Sequence, residues 1–393
     1  MSTSTSPKHL WNKTFVLCLV NNFFLFVYYF ALFAVLPIYI MKDLNGSIEE
    51  AGLALTLFLV SSIAVRPFSG LLIQKIGKKL AFRGSEFFFA LFAISYIWID
   101  SMWSLLLVRF LHGIWFSVLT TVTVPVASDF IPEERKGEGI GYFVMSTNLG
   151  VVFGPLLALT TIQLTSFKTL FAILAATIAL GFVFCLLVQV KDEAIKPIQP
   201  TSTKNRLKLT DIIETRVIAV GIVACLVAIS YSSVTSFITA YTEAHNLLAY
   251  TSIFFIVFAV SMIIVRPLVG KMYDRKGPSS VIYPSFIFFA IGLILVSLTH
   301  TKWLLWASAV FVGIGYGTLF PCLQTIAIQT VGRERMGHAI STFFTLFDIG
   351  LALGSVIMGL LIAQIGFQWT YIACAVLVCA NIFLYRSRVV PTL

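Results

Sequence analysis

Charge is scarce in this chain. Of its 393 residues only 11% are Asp, Glu, Lys or Arg, against about 25% in a typical soluble domain. Mean hydropathy is +0.95. This balance excludes a cytosolic globular enzyme, and the 59% apolar content excludes a disordered chain, which needs low hydrophobicity and high charge. Cysteine is also thin. Cys18, Cys185, Cys225, Cys322, Cys374 and Cys379 all lie within apolar runs and form no C-x-x-C pair. Neither a disulfide framework nor a zinc site is expected, and small buried residues are. The sequence also lacks H-E-x-x-H, a phosphate-binding glycine loop and a G-x-S-x-G elbow. No enzyme, no cofactor and no metal site is therefore expected.

Long apolar runs dominate instead. A helix needs roughly 20 residues to cross about 30 Å of hydrocarbon. Twelve runs meet that length, at 14–41, 50–73, 81–100, 103–128, 138–163, 168–190, 216–241, 248–272, 280–299, 302–328, 338–364 and 367–386. The first is too long for a signal-peptide core and has no small-residue cleavage site, so it reads as a retained span. The expected fold is an all-α membrane protein.

The basic residues orient it. The net charge is +10, from 27 Lys and Arg against 17 Asp and Glu. Only Lys42, Lys168 and Lys302 fall on one side, and Arg66, Arg109 and Arg266 lie within spans. All the other Lys and Arg fall in the segments on the opposite side. The positive-inside rule then puts both termini in the cytoplasm. It also accounts for the net charge without a nucleic-acid partner, which would need one concentrated basic face. The longest inner segment, 191–215, carries Pro197, Pro200, Thr201, Ser202 and Thr203 among basic residues and reads as a flexible connector. It divides the chain into an N-terminal six-helix bundle, 1–190, and a C-terminal one, 216–393.

These halves repeat each other. Val65-Arg66-Pro67-Phe68-Ser69-Gly70 recurs as Val265-Arg266-Pro267-Leu268-Val269-Gly270. Gly77, Gly113, Phe143, Gly150 and Gly154 match Gly277, Gly313, Phe343, Gly350 and Gly354. Glu134-Arg135 matches Glu334-Arg335. Every pair is 200 residues apart. Two pseudo-symmetric six-helix bundles of this kind can rock about a midplane site and expose it to each side in turn. Small residues at the seams let the helix backbones approach.

At these residues the sequence resembles the major facilitator superfamily. Gly70-Leu71-Leu72-Ile73-Gln74-Lys75-Ile76-Gly77-Lys78-Lys79 is similar to the family's Gly-x-Leu-x-Asp-Arg-x-Gly-Arg-Lys loop, with Gln74 at the acidic position. Its counterpart, Gly270 to Gly277, keeps Asp274 and Arg275. The resemblance implies that this loop latches one state through charge contacts with neighbouring helix ends. Leu105-x-x-x-Arg109-x-x-His112-Gly113 is similar to the arginine motif of proton-coupled exporters. Gly150-x-x-x-Gly154-Pro155 resembles the antiporter motif, whose last two glycines are here Ala158 and Leu159. Together these imply the twelve-span drug:proton antiporter branch.

Polar groups inside the spans are the candidate site, because a charge at a helix centre costs roughly 2.5–3.5 kcal/mol or more. Asp348 lies about 15 Å into its span at 1.5 Å per residue, and its repeat counterpart is Asn148. It is expected to carry the coupling proton or to contact a cationic substrate; a hydrogen-bonded structural Asp is the alternative. Arg109 is expected either to interact with the proton-binding acid or to pack and snorkel. His112, three residues on, is a titratable candidate or a structural histidine. Glu86 is a proton relay or an intrahelical partner of Arg83, with Arg66 as another contact. Asn21 and Asn22 are candidates for lining the path. Asp129 is expected to latch with Arg66 or Lys78, and Arg66 and Arg266 are expected to be mainly structural. Trp115 and Phe116 are candidates for an apolar cavity wall. Trp98, Trp103 and Trp303 are expected to anchor at the interface.

The function expected is export of small organic molecules by alternating access, in exchange for protons, from a monomer in a bacterial inner membrane. A specific carrier for a metallophore, sugar or amino-acid-like metabolite is the alternative. The partners expected are small-molecule substrate, protons and lipid.

Overall fold

A computed structural model describes residues 9–46, 48–190 and 213–392. The connector read at 191–215 lies mostly outside the described residues. Among those described, helices fill the chain and there is no strand. In order they are α1 (Lys13–Lys42), α2 (Ile48–Ile76), α3 (Lys78–Ser95), α4 (Met102–Ser128), α5 (Lys136–Leu164) and α6 (Phe167–Leu187). The second set is α7 (Ile218–Ala244), α8 (Thr251–Lys276), α9 (Ser279–Ser297) and α10 (Lys302–Gln329), then one long element, Met336–Leu384. That element breaks at Gly366, where φ is +78°, into α11 (336–365) and α12 (367–384). A positive φ is a conformation that glycine adopts without the Cβ clash of other residues. The twelve expected spans are therefore all present, two of them joined end to end.

Local signals set the helix starts. Asn12 caps α1, its Oδ1 accepting from the Phe15 N–H at 2.9 Å. Ser101 and Thr301, 200 residues apart, cap α4 and α10 in the same way. Gly77 (φ +86°) and Gly277 (φ +82°) turn the chain from α2 into α3 and from α8 into α9.

Apolar side chains cover much of the surface. Ile264 is 71% exposed and Phe383 76%. On a soluble protein such a surface would be an aggregation hazard, whereas here it meets acyl chains. Trp98, Trp103 and Trp303 are exposed at helix ends, where indoles favour the headgroup level.

By its contacts the chain forms two compact units. The first gathers residues 1–132, 146–214 and 333–341; the second gathers 133–145, 215–332 and 342–393. The opening turns of α5 thus group with the second half, and those of α11 with the first.

Within the units the repeat holds at the level of contacts. A Cβ added to Gly113 would meet Ser61 Oγ and the Phe58 carbonyl, and one added to Gly313 would lie 2.6 Å from the Phe258 carbonyl and 3.0 Å from Ser261 Cβ. Gly150 and Gly154 seat α5 on α1 at Phe26, Val27 and Ala31, while Gly350 and Gly354 seat α11 on α7 at Cys225, Ala228 and Ile229. The glycines let these backbones meet, as small residues do in membrane bundles. Two tyrosines 202 residues apart act alike: Tyr39 Oη donates to Ile99 O at 2.7 Å, and Tyr241 Oη donates to Val296 O at 2.7 Å and Thr299 O at 3.2 Å.

Candidate functional site

In the first unit the polar residues of the spans separate into three clusters. Glu86 on α3 is fully buried. Its Oε2 accepts from Asn21 Nδ2 of α1 at 3.3 Å, and its Oε1 has no hydrogen-bond partner. The contacts expected with Arg83 and Arg66 do not form. Arg83 Nη2 instead reaches Leu186 O at 3.1 Å, because its side chain turns toward the open carbonyls at the end of α6. Asn22 turns to another helix and donates to Ser146 Oγ at 2.8 Å and Thr147 Oγ1 at 3.0 Å on α5. Adjacent asparagines on one helix therefore serve two different partners, as the 100° step between neighbours requires.

The second cluster surrounds His112. The imidazole is fully buried, and the rings of Tyr28, Phe58, Phe89, Phe92 and Tyr96 lie around it with centroids 4.1–6.2 Å away. Neither ring nitrogen has a hydrogen-bond partner. One turn earlier, Arg109 is 2% exposed; its Nε donates to Ala54 O at 3.1 Å and its guanidinium sits 4.3 Å from the Phe58 ring centroid. A carbonyl and a π face hold this cation, where an acid was one expectation. Trp115 stacks on Phe88 at 4.3 Å, and Phe116 stacks on Tyr29 at 4.9 Å. Sequence reasoning missed this box because its five rings come from α1, α2, α3 and the turn that follows α3.

The third cluster is at the helix ends. Lys78 Nζ bonds Asp129 Oδ2 at 2.7 Å, choosing between the two cations considered for that acid. Arg66 Nη1 donates to Thr120 Oγ1 at 3.1 Å, and Ser341 Oγ donates to the Arg66 carbonyl. Arg335 pairs with Glu214. A Cβ on Gly70 would lie 2.8 Å from His338 Cα, so α2 and the start of α11 touch backbone to backbone. Gln74 is half-buried on the same stretch of α2.

The second unit repeats that contact with different chemistry. Gly270 of α8 approaches Glu138 of α5, 2.6 Å from an added Cβ to Cα. The Asp274 carboxylate accepts from the N–H groups of Gly137 and Glu138 at 2.8 and 3.1 Å. Those are orphan donors of a helix start, where a negative charge is favoured. Arg135 then grips Glu138 with two bonds, 2.7 and 2.8 Å long, and Arg275 is exposed. Asp348 is half-buried on α11, two residues before the Gly350 contact with α7. Pro155 follows Gly154 inside α5. Arg266 is 4% exposed. Nearby an aromatic ladder runs through Tyr231 and Tyr316, stacked at 3.4 Å with planes 8° apart, then Phe320 and Phe347.

Among the described residues no cluster of His, Cys, Asp or Glu has the form of a metal site.

Comparison with known proteins agrees with this architecture. The multidrug resistance protein MdtG of Escherichia fergusonii is 23% identical over 97% of this chain and 96% of its own length. The protein of that name from Proteus mirabilis is 24% identical over 88% of each chain. Among solved structures, the human organic anion transporter MFSD10 (TETRAN) superposes with a TM-score of 0.77 at 13% identity, covering 94% of this chain and 98% of its own. The transporter FucP, in its outward conformation, gives 0.76 at 15% identity over 97% and 99%. At such identities the solved structures speak to fold alone. The model of the Major Facilitator Superfamily matches residues 18–355 and 285–392, and with it the chain is established as a multi-pass membrane transporter, not an enzyme, belonging to that superfamily.

Proposed function

We propose that this protein exports small organic molecules from a bacterial cytoplasm by alternating access, in exchange for protons, as a monomer with both termini inside. The observation that carries the reading is Glu86. A carboxyl group enclosed in an apolar bundle, with one amide contact and one unpartnered oxygen, is costly to keep and is a functional group by default. Its proton content is free to change because no cation is fixed beside it. Asp348 is the candidate acid of the second unit, and Arg109 and His112 supply the cation and the imidazole of the first. The relatives named as multidrug resistance proteins support the outward direction. Aromatic surfaces in both units suit apolar cargo, since π faces bind many shapes with little directional demand. Inward proton movement contributes about 2.3 kcal/mol per charge for each 100 mV.

Flux into proteoliposomes under an imposed pH gradient tests this. Cationic, neutral and anionic dyes should accumulate against their gradient, and a proton-exchanging ionophore should abolish it. Accumulation that ignores the pH gradient removes the proton. Uptake restricted to a sugar, an amino acid or a metallophore replaces the exporter by the specific carrier.

A further inference from the structure

The duplication makes one half a control for the other. Arg66 and Arg266 occupy equivalent places, each precedes a proline, and each is 4% exposed. Their surroundings differ in kind. Around Arg66 stand hydroxyls: Thr120 accepts from Nη1, Ser62 lies 3.5 Å from Nη2, and Ser341 binds the backbone carbonyl. At the three positions that match these in the repeat the chain has Phe320, Met262 and Gly141. The Nε and Nη2 groups of Arg266 are buried with no hydrogen-bond partner.

Among the described residues no carboxylate bonds the Nε or Nη2 group of Arg266. Asp274, two turns further along α8, is committed to the amides of α5, and Glu138 is committed to Arg135. The groups of α10 within electrostatic range are Tyr316 and Cys322. A guanidinium in this position costs several kcal/mol unless an anion or other acceptor meets it. Two of the hydroxyls, Thr120 and Ser62, accept from the Arg66 guanidinium, and without their counterparts the Arg266 donors are left for something other than these side chains.

The immediate neighbourhood limits what that is. Tyr316 belongs to the aromatic ladder, and Tyr231 and Phe320 keep part of their faces exposed. Gly141 covers the stem of Arg266 with backbone only, since a Cβ there would already lie 3.7 Å from Cδ. A cationic ligand would be repelled. A planar oxyanion matches the fork of a guanidinium, and an attached aromatic ring matches the stack.

We propose that Arg266 is the anion-binding centre of the substrate site, taking the carboxylate or sulfonate of an amphipathic aromatic anion whose ring lies against the Tyr231–Tyr316 stack. This rests on the carrier reading above and names one substrate class within it. The N-terminal half cannot do the same, because its arginine is already bonded to hydroxyls.

The test is a binding titration without any pH gradient. Protein in nanodiscs of phosphatidylcholine, which carry no net lipid charge, is titrated with 2-naphthoate and with its uncharged analogue 2-naphthamide. The wild type should prefer naphthoate by about tenfold or more, the scale of a charge-assisted pair. Arg266→Gln should lose that preference, and Arg83→Gln should retain it. Should Arg266→Gln fail to fold, the double variant Met262→Ser/Phe320→Thr supplies the hydroxyls found around Arg66. It should fold and lose most of the preference because the guanidinium is now satisfied internally. Equal binding of the two probes, no saturable naphthoate binding, or a preference that survives in a folded variant overturns the proposal. Dye flux in proteoliposomes of the same protein separates the two readings: flux that persists without Arg266-dependent binding removes only this inference. Naphthoate binding without any flux removes the carrier.

Discussion

The carboxylate of Asp274 closes the first turn of α5, accepting the N–H of Gly137 at 2.8 Å and that of Glu138 at 3.1 Å. An acid at the end of one helix thereby caps the start of another, and the opposite partial charges of the two ends reinforce the contact. At the equivalent place in the first unit the chain has Gln74 and His338. The two halves therefore share a backbone contact at Gly70 and Gly270 but only one is tied by a carboxylate.

Removing that carboxylate should loosen α5 first. Asp274→Ala leaves two helix-start donors without their acceptor and is expected to cost about 0.5–2 kcal/mol, the range of a lost cap. Asp274→Asn keeps one acceptor oxygen and should fall between. Amide hydrogen exchange at Gly137 and Glu138 reads this directly: protection should drop in the order wild type, Asn, Ala. Unchanged protection in the Ala variant would mean the contact is not held in the membrane.

Glycine substitutions should divide cleanly by what an added methyl meets. Gly313→Ala puts Cβ 2.6 Å from the Phe258 carbonyl, and Gly113→Ala presses on the matching Phe58 carbonyl. Each should cost about 1–3 kcal/mol, because backbone on a packed helix pair yields little. Gly84→Ala meets nothing within 4 Å and should be neutral or slightly stabilising. Gly277→Ala meets no atom either, but its φ of +82° should cost about 1–2 kcal/mol in strain. Thermal unfolding of the four variants in one detergent ranks them.

His112 allows packing to be separated from chemistry. Both ring nitrogens are buried without partners inside five aromatic rings. Exchanging an unsatisfied polar ring for an apolar one is often neutral or favourable, so His112→Phe is expected to unfold at the same temperature or a higher one. Its transport should nevertheless fall if the imidazole beside Arg109 takes part in coupling, as proposed above. A stable variant with full proton-driven flux would make His112 a packing residue only.

The spans, the duplication and the family were legible in the sequence because they depend on composition, length and matching residue numbers. The predicted boundary of α8 at 272 falls four residues short of Lys276, since its last turn is polar and hydropathy ends before the helix does. Side-chain partners were far less legible. Arg83 is one turn from Glu86 in sequence, yet it bonds Leu186 O while Glu86 meets Asn21. Helix rotation decides such pairs, and rotation is set by packing against neighbours that a linear pattern does not reveal. The Arg66 and Arg266 surroundings were in principle readable: aligning the halves at an offset of 200 lines up Ser62 with Met262 and Thr120 with Phe320. Only the contacts showed that Ser62 and Thr120 meet the Arg66 guanidinium.

Under the proposed function two acids are candidates for the coupling proton, and amide substitution distinguishes them. Glu86→Gln preserves the side-chain length and an oxygen for Asn21 Nδ2, so the bundle of α1, α3 and α6 should stay packed and the unfolding temperature should hardly move. What it removes is the exchangeable proton. Accumulation driven by a pH gradient should then fall at least about tenfold, an effect of roughly 1.4 kcal/mol or more on the coupled step. Exchange of labelled for unlabelled dye across the membrane, which needs no proton, should continue. Asp348→Asn restores the residue of its repeat counterpart, Asn148, and should likewise fold. If Glu86 is the carrier and Asp348 a substrate contact, Asp348→Asn lowers the affinity for cationic dyes and leaves the proton dependence intact. The opposite pattern, with gradient-driven uptake surviving in Glu86→Gln and lost in Asp348→Asn, transfers the proton to α11.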